Sequence, residues 1–190
     1  GLGEGGPALV IAYALNSVKF DPGTAGRCND QGVCSLAQGQ GNWNIEALGH
    51  DTFNFGDDMN HAHVQPNGAY HYHGIPELLV DFLGDSEGMT LVGWAADGFP
   101  VYARYGFSDP NDSTTKTIAL KPSYRLKSQP DPNRPMVLTR LSGGPGQGTT
   151  PNTPIAMGAF TQDYEYVDGL GDLDQCNGRF GVTPEFPEGI

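Results

Sequence analysis

The sequence predicts a mainly β fold forming a single domain over residues 1–190, a β-sandwich or barrel-like arrangement with long loops and one short helix. Three observations predict it. A chain of 190 residues fits one domain of ordinary size and leaves little room for two. Its 28 Gly and 15 Pro are too many for a helical bundle and suit short strands joined by turns. Alternating apolar and polar residues recur along the chain, whereas one stretch alone has the helical period.

Taken in order, "ALVIAYALNSVKF" (8–20) alternates throughout and reads as a strand. Residues 21–60 are rich in Gly, Asn and Asp with scattered aromatics, the composition of ordered loops and short strands. A histidine hairpin follows. In "GIPELLVDFLGD", Pro76 stands at a first helical position, Leu78, Leu79, Phe82 and Leu83 form an apolar face, and Gly84 stops the helix. "MTLVGWAADGFPVYARYG" reads as two strands turning at Asp97-Gly98, and "TKTIALKPSYRL" as extended chain. Residues 128–158 are crowded with Pro and Gly and are expected to form a mobile excursion from the core. "DYEYV" returns to alternation before the turn-rich "GLGDLDQCNGRFG".

The formal charge of −12 and pI near 4.5 exclude nucleic acid as a partner, because phosphate binding needs a clustered basic surface and only ten Lys and Arg exist. Cations suit such a chain better. No apolar run approaches the roughly 20 residues of a membrane-spanning helix, so no transmembrane segment is expected. Cys28 and Cys34 bracket the polar loop "CNDQGVC", which favours a local disulfide over two free thiols in a secreted or periplasmic protein. Cys176 is left unpaired.

"HAHVQPNGAYHYHG" holds four of the five histidines. Residues two apart in a strand share a face, so His61 goes with His63 and His71 with His73. The turn decides whether the pairs meet. A two-residue Asn67-Gly68 turn would separate them and would put Pro66, which has no N–H, into the ladder. A three-residue Pro66-Asn67-Gly68 loop uses Pro to open a type I turn and Gly at the left-handed bulge. That register sets His63 opposite His71 and His61 opposite His73, with four imidazoles on one face and Tyr70 and Tyr72 on the other. Opposed side chains then lie roughly 5 Å apart at Cβ. A lone histidine is usually a hydrogen-bonded polar side chain. Two facing His-x-His pairs argue instead for a metal, which stabilises several crowded neutral imidazoles at once.

"AHVQPNGAYHYHG", "LVGWAADGFPVYARYG" and "LDQCNGRFGVTPEFPEG" resemble the hallmark segments of the YHYH family, named for the tetrad Tyr70-His71-Tyr72-His73. Similarity extends to "LNSVKFDPGT", "WNIEALG" and "SYRLKS". The resemblance implies an exported protein and a ligand set of His63, His71 and His73, with His61 a local addition. It also implies a further Tyr-His-Tyr strand and a later cysteine beyond "PEFPEG", which would pair Cys176.

His71-x-His73 followed by Glu77 and Gly84 also has cupin spacing, but a cupin needs that glutamate on a strand, and the 77–84 pattern is helical. Asp97 is either a turn residue or, functionally, a fourth ligand or a base. Asp172, Asp174 and Asn177 make calcium possible, although the order of an EF-hand is absent. Glu46, Asp163 and Glu165 are candidate bases that spacing does not rank. Three hypotheses result. The first is an exported domain binding zinc or copper through the histidine hairpin, with a metal-dependent reaction on an unidentified substrate as its extension. The second is a metal-free recognition module for glycan or cell-surface protein partners. The third is a calcium-stabilised structural domain.

Overall fold

The computed structural model describes residues 10–84, 87–143 and 152–190. In chain order the first strands are β1 (Ala12–Ala14), β2 (Lys19–Phe20), β3 (Arg27–Cys28), β4 (Val33–Ser35), β5 (Trp43–Asn44), β6 (Ala62–Val64) and β7 (Tyr70–Tyr72). Helix α1 (Glu77–Leu83) separates them from β8 (Thr90–Ala95), β9 (Pro100–Ala103), β10 (Tyr105–Phe107), β11 (Thr117–Ala119) and β12 (Tyr124–Leu126). Then come β13 (Val137–Leu138), β14 (Arg140–Ser142), β15 (Thr153–Pro154) and β16 (Tyr164–Tyr166). The protein is mainly β, with one α-helix among the described residues.

Two sheets dominate, a six-stranded one ordered β6-β7-β2-β1-β8-β9 and a four-stranded one ordered β14-β4-β3-β5. Among the described residues neither closes into a barrel, since the edge strands β6 and β9 do not pair with each other and neither do β14 and β5. Each sheet has its own apolar cluster. Alternation along β1 turns Ala12 and Ala14 inward, where they meet Phe20, Ala62, Tyr72, Val92 and Val80 of α1. The second cluster gathers Trp43, Ile45, Phe53, Phe55, Leu138, Ile155 and Phe160 around the Cys28–Cys34 disulfide. Cys176 is free and exposed, as its lack of a near partner in sequence implies.

The single strand expected over 8–20 is instead a hairpin: β1 and β2 pair antiparallel through a turn in which Ser17 has φ +68°. Asn16 is the cause, because its Oδ1 accepts the Val18 amide at 3.2 Å and offers the backbone a local alternative to the ladder. The 128–158 stretch, expected to leave the core, contributes Leu138 and Ile155 to the second cluster and buries Arg134. Residues 144–151 of that stretch lie outside the described residues.

The histidine hairpin adopts the predicted register. Ala62 pairs with Tyr72, His63 with His71 and Val64 with Tyr70. The Gln65 amide donates to Ala69 O at 2.9 Å and the Gly68 amide to Gln65 O at 2.8 Å, which closes a loop of Pro66, Asn67 and Gly68. Gly68 has φ +83°, and a Cβ there would meet nothing within 4 Å, so only the backbone resists substitution. Gly68→Val is expected to cost roughly 1–2 kcal/mol, the penalty of left-handed backbone for a side chain with a Cβ. Thermal denaturation reads it directly.

Candidate metal centre

Three imidazoles converge at one edge of the six-stranded sheet. His63 comes from β6, His71 from the centre of β7, and His73 from the residue just past β7. Ring centroids are 4.6 Å apart for His63–His71, 4.8 Å for His63–His73 and 4.6 Å for His71–His73. One nitrogen from each lies within 4.8 Å of the others, and among the described residues no other group of three or more His, Cys, Asp or Glu side chains converges this way.

The surroundings fix which nitrogens are free. His63 Nδ1 bonds Asp57 Oδ1 at 2.7 Å, leaving Nε2. His73 Nδ1 lies 3.2 Å from Pro22 O, and a carbonyl only accepts, so Nδ1 carries the proton and Nε2 keeps its lone pair. That Nε2 is buried without a partner, and so is His71 Nδ1. Phe55 walls the site, stacked on His63 at 6.1 Å and tilted against His73 at 6.4 Å. It also belongs to the second cluster, so the site sits where the two cores meet.

Burial holds the His71 imidazole below its ordinary pKa of 6.5, with the neighbouring His73 and His63 adding repulsion. Burial likewise lowers His73, against the Pro22 carbonyl and the Asp57 and Asp21 charges. Both rings are therefore neutral at pH 7, the form that can donate to a metal. The unfolded chain takes up these protons below about pH 6.5 while the folded chain resists them, so stability present near neutrality is lost as pH falls through that value. Glu46 acts in the opposite sense. Burial raises its pKa from 4.5 to about 7, so its contribution is complete below 4.5 and is lost as pH rises through about 7. The metal-free protein is expected to melt at lower temperature at pH 5 than at pH 7, and Glu46→Gln to steepen that fall, in a thermal scan across pH.

His61 does not join the other histidines. A turn over residues 58–61, with the His61 amide donating to Asp58 O at 3.0 Å, ends in left-handed backbone at His61, φ +54°. Strand periodicity therefore starts at Ala62, and the imidazole leaves the shared face to bond Ile75 O through Nδ1 at 2.9 Å. It lies 3.8 Å from Glu77, the first residue of α1, whose carboxylate also pairs with Arg104. Asp97 is exposed in the β8–β9 turn, where Oδ1 accepts the Phe99 amide at 3.3 Å. Asp174 Oδ1 holds the Cys176 and Gly178 amides of its own turn, and Asp172 Oδ2 the Lys121 amide. Asp163 pairs with Arg134 and Glu165 with Arg125. Sequence reasoning misses three of the site's neighbours, Asp57, Phe55 and the Pro22 carbonyl. They stand in loops with no periodicity to expose them, and the only signal is an aspartate pair shortly before the hairpin.

The fold and the site define a mainly β protein whose distinguishing feature is a hairpin-borne cluster of three histidines, two buried and one half-buried. A family described as "YHYH protein" matches residues 5–190, and the chain belongs to that family. No curated protein and no solved structure matches it. No helix among the described residues is long and apolar enough to cross a membrane.

Proposed function

We infer that this is an exported transition-metal-binding domain in which His63, His71 and His73 hold one zinc or copper ion. The reading is carried by the two buried ring nitrogens, His71 Nδ1 and His73 Nε2, that have no hydrogen-bond partner beside a third imidazole. An orphaned buried polar atom costs about 1–3 kcal/mol, and a shared cation offsets that cost where no protein donor does. Three neutral imidazoles suit zinc or copper better than calcium, which prefers oxygen. Asp57 on His63 and Pro22 O on His73 are the outer partners that orient ligating rings and raise their basicity. Three protein ligands leave a further coordination position, where an exogenous molecule would meet the ion and any metal-dependent reaction would occur. The Cys28–Cys34 disulfide supports an oxidising compartment, secreted or periplasmic.

Protein purified without a polyhistidine tag and stripped with chelator is expected to bind one equivalent of zinc or copper by calorimetry at neutral pH. Metal at a hundredfold over Kd should raise stability by about 2.7 kcal/mol. Stabilisation by calcium alone would overturn the reading and favour the structural-domain alternative.

A further inference from the structure

Register places one row of side chains across the six-stranded sheet. His63 pairs with His71, His71 with Lys19, Lys19 with Tyr13, Tyr13 with Trp94, and Trp94 with Pro100. Laterally paired residues share a face, so this row lies opposite the face on which Ala12, Phe20, Tyr72 and Val80 pack. Its two ends are covered. Phe55 stacks on His63 at one end, while at the other Phe186 meets Trp94 edge-on at 6.1 Å and Thr183 takes the Tyr102 hydroxyl at 2.7 Å.

Between the ends Lys19 is mostly covered, whereas Tyr13 is bare and Trp94 stays partly open beside Phe186. Tyr13 is 57% exposed and Trp94 41%, and alternation along the extended chain through β1 exposes Ile11 and Leu15 beside Tyr13. Among the described residues Tyr13 makes no side-chain hydrogen bond or ring contact. A central strand gains nothing for its own core by pointing apolar and aromatic groups at water, and contiguous exposure of this kind marks a binding surface.

We propose that this strip binds a neutral glycan chain, with Tyr13 and Trp94 each stacking on a sugar ring. Charge selects the ligand. A chain of net charge −12 repels anionic polymers, the residues that build the strip include no carboxylate, and the one cation, Lys19, is held by Asp21 Oδ2 and Gln65 Oε1. The same charge opposes a second copy of the chain on this face. Sugars present apolar C–H faces edged by hydroxyls, which match rings that carry the Tyr13 hydroxyl and the Trp94 Nε1 at their rims. Tyr and Trp offer this contact area at low entropic cost. Directly opposed residues in an antiparallel pair stand roughly 5 Å apart, a spacing suited to successive rings of one chain. The row continues from Tyr13 to His71 over two strand spacings, roughly 10 Å, so a glycan laid along it runs toward the histidines.

The surface does not depend on a metal, and its test is made on chelator-treated protein so that its failure and that of the metal reading are separable. Native gels containing hydroxyethyl cellulose, laminarin, galactomannan or neutral xylan are expected to retard the protein in at least one case, and gels containing alginate to leave it unretarded. Tyr13→Ala and Trp94→Ala should each weaken retardation by about tenfold or more, Trp94→Phe should retain most of it, and Phe82→Ala, an exposed aromatic on the helix packed against the opposite face, should leave it unchanged. Melting temperatures identify any variant that has lost its fold, in which case the other aromatic substitution decides. No retardation in any neutral gel, retention on alginate, or unchanged retardation of both Tyr13→Ala and Trp94→Ala would overturn the proposal. A wild-type dimer that Tyr13→Ala dissociates would assign the strip to a second copy and would equally overturn it.

Discussion

His71→Ala is expected to lower zinc or copper affinity by more than about 100-fold, beyond the 10–100-fold typical of losing an outer partner, while His61→Ala leaves it nearly unchanged. His71 lies at the centre of β7, paired with His63 on one side and Lys19 on the other, so alanine removes a ligand without moving its neighbours. His61 faces Ile75 O and Glu77 and has no nitrogen in the cluster. Asp57→Ala should fall between them, at about 10–100-fold, because it frees the His63 ring that its carboxylate orients. Stability provides a second reading. The His71 Nδ1 has no partner to strand, so the metal-free His71→Ala protein sheds an unsatisfied buried atom against its loss of packing and should show a shallower fall in melting temperature between pH 7 and 5 than the parent. Calorimetric titration of the three variants decides the matter; equal losses for His61 and His71 would show that the left-handed turn at His61 rearranges to supply a fourth ligand.

Asp163→Ala is expected to destabilise the fold by about 3–5 kcal/mol, the cost of stranding one member of a buried ion pair. Arg134 Nε and Nη2 reach the two carboxylate oxygens at 2.6 and 2.7 Å, and both side chains are almost fully buried. The guanidinium also donates to the Pro135, Ile155 and Ala156 carbonyls and sits 4.9 Å over the Phe160 ring. Asp163 in turn accepts the Gly158 and Phe160 amides at 2.9 and 3.1 Å. Replacing both charges together, Arg134→Met with Asp163→Leu, should not restore the parent stability, because those carbonyls and amides would remain buried without partners. Chemical denaturation measures both; a loss under about 1 kcal/mol for Asp163→Ala would place the pair among surface bridges of little consequence.

What the sequence makes legible here is what depends on near neighbours. Pro66 and Gly68 set the hairpin register, because one lacks a donor and the other permits a positive φ, and so the meeting of His63 with His71 can be read from residues 61–74 alone. Helix α1 is bounded by Pro76 and Gly84 for the same local reasons. His61 is misread because a period-2 argument presumes that the strand has already begun, whereas Asp58 and Asn60 still hold a turn there. Proline and glycine content over 128–158 suggests weak packing, yet a few anchors, Arg134, Leu138 and Ile155, outweigh composition once tertiary partners exist. Asp57 and Phe55 reach the histidines through loops, and Lys19 through a parallel pairing of β2 with β7. No local pattern encodes such contacts.

The pairing of β14 with β4 has a kinetic meaning. The strands run parallel, and Ser142 reaches the Cys34 carbonyl across a sequence separation of 108 residues. Closing so long a loop is entropically costly before its contacts form, and non-local sheets of this kind fold slowly. While the chain is being made, Trp43, Ile45, Phe53 and Phe55 wait without Leu138, Ile155 and Phe160, the late residues that complete their cluster. A half-synthesised chain therefore exposes an apolar surface that only the later residues can cover, and productive folding must await their release. Phe55, the wall of the histidine site, is among the residues that wait, so the site should reach its final shape after its own hairpin has formed.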